Sequence, residues 1–104
     1  MNYIAFLQDA IEKLHGCASE HIETVHVDER FEGQQVWKGD VEIFKVPGHP
    51  ETNHLYAWGV RESDDRPDLK AVTVLSVPPI TTPRKAVQAY IASVYRREQS
   101  SDAN

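Results

Sequence analysis

The stretch from His54 to Arg61, HLYAWGVR, sorts its side chains into two sets with a period of two. Leu55, Ala57 and Gly59 fall on one side and Tyr56, Trp58 and Val60 on the other, as in a β-strand. The side that meets a helix decides what the molecule shows to its surroundings. Small residues such as Ala57 and Gly59 let a helix come close, so the helices are expected over that side. Tyr56 and Trp58 are then expected on an open face, with Val72 and Val74 of the following strand beside them.

Upstream of this strand, PGHPETN at 47–53 is a loop by composition, with two prolines and a glycine. Residues 36–46 form the strand before it. Trp37, Val41 and Ile43 point one way and Lys38, Asp40 and Glu42 the other. After Ile43 the phase breaks, because Phe44 and Val46 fall on the charged side, and a bulge or twist is expected there. Residues 20–31, EHIETVHVDERF, include β-branched residues and lack a helical period, which predicts another strand. A turn at 32–35, carrying Gly33, joins the two.

Downstream, a polar loop at 62–68 leads to a strand over 69–78. Leu69, Ala71, Leu75 and Val77 lie on one side of it and Val72 and Val74 on the other, so it is expected to be covered twice or central. Thr82 and Pro83 are an N-cap and a first-turn proline. The helix they open carries Ala86, Val87, Tyr90, Ile91, Val94 and Tyr95 as an apolar stripe. At the other end of the chain, Ile4, Leu7, Ile11 and Leu14 mark a helix over 3–15, with Asn2 as cap and Gly16 as stop.

The resulting expectation is an α+β fold with element order α-β-β-β-β-α. It is a four-stranded antiparallel meander, since the connections are short, with the N-terminal and C-terminal helices packed on one face. Residues 1–97 make one domain and 98–104 a polar, disordered tail. The helix–strands–helix order resembles that of double-stranded-RNA-binding domains, in element order alone. Those domains are basic, whereas this chain has 11 Lys and Arg against 16 acids. A net charge of −5 disfavours nucleic acid as a partner, because counterion release from phosphates needs a basic face. The pairs Arg84–Lys85 and Arg96–Arg97 are too few to supply one. A single cysteine, Cys17, forbids an internal disulfide and suits a reducing compartment, so the expected location is cytoplasmic. Asp9, Glu12 and Lys13 interrupt the first apolar stretch, so no membrane partner is expected.

Four groups of residues could carry function. His49 and His54 flank Glu51 in the 48–54 segment, but they match no zinc spacing, and no metal or cofactor is expected. The five histidines with Cys17 could suggest a thiol nucleophile, yet Cys17 follows a helix C-terminus, where the dipole disfavours a thiolate. Asp40 and Glu42 share a strand face and could act as paired acids, although a solvated face explains them with Lys38. The fourth group, Tyr56, Trp58, Val72 and Val74, forms the expected open face. It predicts a non-catalytic interaction protein that pairs with itself as a homodimer or with another protein. The alternative is a small-molecule site or small enzyme with its pocket near the 49–54 loop, lined by His49 and His54.

Overall fold

The structure, a computed structural model, describes residues 2–63 and 66–102, apart from the side chains of 62–63, 66–68 and 96–102. The elements run α1 (Tyr3–His15), β1 (Glu20–Phe31), β2 (Gln34–Lys45), β3 (His54–Ser63), β4 (Arg66–Leu75) and α2 (Pro83–Asp102). The strands form one open antiparallel sheet in the order β1-β2-β3-β4, so the α+β meander stands as expected.

Local chemistry accounts for the boundaries. Asn2 Oδ1 accepts the Ile4 N–H at 2.9 Å and opens α1, and Gly16, with φ of 70°, closes it. Thr82 Oγ1 accepts the Lys85 N–H at 3.2 Å ahead of the first-turn proline of α2. Glu32 and Gly33 make a two-residue turn in which both φ values are positive, as the tight hairpin turns require. The expected loop at 62–68 is shorter than its composition implies. Here β3 continues to Ser63 and β4 begins at Arg66, with Ser63 opposite Arg66. At the other end, α2 runs on as far as Asp102 through most of the expected tail. Residues 103 and 104, and the side chains of Arg96 and Arg97, lie outside the described residues.

The helices, expected on one face, lie on opposite faces. Leu7 and Ile11 of α1 pack with Phe44, Val46, Leu55 and Ala57. Ala86 and Val87 of α2 pack with Val27, Val41, Tyr56 and Trp58 on the other side. The small side of β3 does sit under a helix, because Tyr3 and Leu69 crowd the place where a Gly59 Cβ would go. What differs is that the bulky side is covered too. Phe44 and Val46 therefore do not break the phase of β2. They face α1, while Val41 and Ile43 face α2. A register shift does lie opposite the Ile43–Phe44 step, but its extra residue is Ile22 of β1; others lie between Glu29 and Arg30 and between Arg61 and Ser63.

Each helix also lies largely on strands from the other half of the chain. α1 reaches across to β3 and β4, and α2 returns over β1, with β2 and β4 beside it. A polar clamp on the buried Glu29 fixes that return. The Glu29 carboxylate accepts from Arg84 Nη1 at 3.2 Å, from Gln88 Nε2 at 2.9 Å and from the Arg30 N–H at 3.2 Å.

Candidate functional site

Of the four residues expected on an open face, Tyr56 and Trp58 are buried, whereas Val72 and Val74 line an opening of about 580 Å³ between β4 and α2. Trp58 is 1% exposed and meets Trp37 and Tyr90 edge-on, with ring centroids 5.5 Å away in each case. Tyr56 is buried, and its hydroxyl lies 3.3 Å from Ser76 Oγ. Val72 and Val74 are half-buried against the same cluster. The physical reason is α2, which spends its apolar stripe on this face.

His49 and His54 do not converge on a ligand. His49 packs against His15, ring centroids 5.4 Å apart, and its Nδ1 accepts the Glu51 N–H at 3.0 Å. His54 is exposed at the start of β3. Among the described residues no three His, Cys, Asp or Glu side chains gather as a metal site would need. Cys17 is free and half-buried under the α1 side.

His15 carries a consequence for pH. Burial, and then the neighbouring His49, lowers its pKa from the ordinary 6.5, and its Nε2 lies 2.9 Å from Thr73 Oγ1. A histidine with a depressed folded pKa binds its proton more readily in the unfolded chain. Its contribution is therefore complete above 6.5 and is lost as the pH falls from there through the folded value. The urea midpoint is expected to drop between pH 7.5 and 5.5, and less steeply in His15→Gln. An equal drop in both proteins would show that His15 is not responsible.

Asp40 and Glu42 do share a face, but with different surroundings. Asp40 is exposed and lies 3.0 Å from His26 Nδ1. Glu42 is buried, with its Oε1 accepting from Thr24 Oγ1 and 2.8 Å from His21 Nε2. A wholly solvated face thus describes Lys38 and Asp40 but not Glu42. The register shift at Ile22 turns His21 toward Glu42, which simple alternation would not do.

Two further openings bring other residues together. The first is a groove of about 690 Å³ between α2 and the tip of the β1–β2 hairpin, floored by Val36, Ile91 and Ala92. Phe31, 67% exposed, and Tyr95, 61% exposed, stand at its edges, and Val36 is itself 45% exposed. Such a run of uncovered apolar side chains is unusual on a small protein surface. Its signal in the sequence is Phe31 beside a polar turn and Tyr95 at the end of the helix stripe. The second is a cleft of about 480 Å³ where β2 and β3 part, lined by residues that include Trp37, Lys38, Asp40, Trp58, Gly59 and Arg61.

Comparison with protein-family models, with curated proteins and with solved structures gives no match to this chain. Among the described residues no helix is long and apolar enough to cross a membrane. Function therefore has to be argued from the openings of the fold.

Proposed function

We propose that the protein is a non-catalytic interaction module that pairs with a second copy of itself through the groove between α2 and the β1–β2 hairpin. The observation that supports this is the exposure of Phe31, Val36 and Tyr95 around one apolar floor. The patch carries both a projecting aromatic and a recess, so two copies related by a two-fold axis can each fill the other. Its charged rim is already neutralised within the copy. Glu29 is paired with Arg84, and Arg30 lies 3.7 Å from Asp28. Two such rims brought together meet no excess of like charge, which would otherwise oppose association. A cytoplasmic setting belongs to this reading and is supported by the single cysteine.

Native mass spectrometry of the protein at micromolar concentration tests it. The wild type is expected to be dimeric and Phe31→Asp monomeric, with the circular dichroism of the variant unchanged because Phe31 has no part in the core. A monomeric wild type, or a Phe31→Asp dimer, would remove this surface as the basis of function.

A further inference from the structure

We propose that the cleft between β2 and β3 binds a small aromatic carboxylate. The cleft exists because the two strands pair over only four residues each, from Glu42–Ala57 to Lys45–His54. Carried further, the same register would set Asp40 opposite Gly59 and Lys38 opposite Arg61. Instead the strands separate, and the Gly59 N–H is donated to the Tyr3 hydroxyl at 2.8 Å. Burial, followed by the Glu42 and Asp40 carboxylates, holds that hydroxyl above its ordinary pKa of 10.0, against the pull of the Gly59 bond, so it stays protonated. The bonded pair formed by Val46 N and Asn53 O, 2.7 Å apart, sets which residues turn their backbone groups toward the partner strand. By that alternation Lys38, Asp40, Gly59 and Arg61 direct theirs into the gap.

The side chains decide the ligand class. The half-buried Trp37 and Val60 supply apolar wall, with Trp58 buried behind them, which suits a planar ring. The buried indole N–H of Trp58 has no partner among the described residues, an unusual state for a native core. The carboxylates nearby are engaged with β1, Asp40 with His26 and Glu42 with His21 and Thr24. Lys38 and Arg61 are the reverse case. Neither has an ion pair or a side-chain hydrogen bond among the described residues, and both line the cleft. An ammonium and a guanidinium left free beside aromatic surface recognise an anion attached to a ring, and the guanidinium fork fits a carboxylate. A space of this size is in the usual range for small-ligand sites.

Both tryptophans of the chain line the cleft, so their emission reports on its occupancy. Benzoate is the probe, with benzamide as its uncharged counterpart. Benzoate is expected to change the emission saturably, and benzamide to bind at least about tenfold more weakly, as loss of a charge-assisted hydrogen bond implies. Lys38→Ala/Arg61→Ala should weaken benzoate by a similar factor, while Lys45→Ala/Lys85→Ala, which removes two cations elsewhere, should not. The inference is overturned if benzoate gives no saturable change. It is equally overturned if benzamide binds as well, or if the cleft double variant binds benzoate like the wild type. None of these outcomes depends on the oligomeric state.

Discussion

Trp58→Ala is expected to destabilise the fold by about 3–5 kcal/mol, the range for emptying an aromatic site in a packed core. A domain of this size has only about 5–15 kcal/mol in all, so the variant should populate unfolded chain near room temperature. The size of the effect follows from position. Trp58 sits in the middle strands, with Trp37 edge-on to one side and Tyr90 of α2 to the other, and nothing around it can move in without losing those contacts. Trp58→Phe separates the ring from its donor. It keeps most of the packing and deletes an indole N–H that has no partner, so its cost should be well below that of the alanine variant. Urea denaturation followed by far-UV circular dichroism reads both. An alanine variant that loses under about 1 kcal/mol would mean that α2 does not hold this side chain in a close-packed site.

Phe44→Ala should cost about as much, roughly 3–5 kcal/mol, although it acts on the opposite side of the sheet. Phe44 is fully buried beneath α1 and meets the edge of His21 with ring centroids 5.4 Å apart. This variant tests the placement of the helices directly. With both helices on the Trp58 side, Phe44 would face solvent and its loss would fall within about 0.5 kcal/mol, as for ordinary surface substitutions. The two substitutions lie in separate clusters, so their costs should add in the double variant.

Phe44 also shows what could be read from the chain and what could not. The strands and the helix caps follow from period, β-branching and turn chemistry, each of which is local, and the meander from the short connections. Alternation states which residues share a face, and Ala57 and Gly59 correctly mark the face of closest approach. It does not state how many faces are covered. The sign of double coverage was present in the chain, since Phe44 and Val46 follow Ile43, and Val72 and Val74 interleave with Ala71 and Leu75. Apolar residues on both faces of neighbouring strands mean two buried faces. Read as a bulge instead, the same residues leave one face open, and the expected site with it. The cleft could not be read, because it depends on where backbone pairing between β2 and β3 stops, and side-chain pattern carries no record of that. The groove was half legible. Phe31 and Tyr95 are conspicuous as apolar residues at element ends, but their meeting across 64 positions is a tertiary fact.

The crossed arrangement of the helices bears on how the molecule reaches its folded state. A break in the 47–53 loop would leave two pieces, each with one helix and one hairpin, yet each helix has its main seat on the hairpin of the other piece. Neither piece can bury its own apolar stripe in full, since each stripe also packs on strands of the other. The two halves therefore have no independent stability to offer one another, and melting should be a single all-or-none event across the whole chain. The contacts that matter most join positions far apart in the chain, so closure of a long loop must precede any reward from packing. Folding should therefore be slower than that of a helical bundle of this size, whose contacts are local.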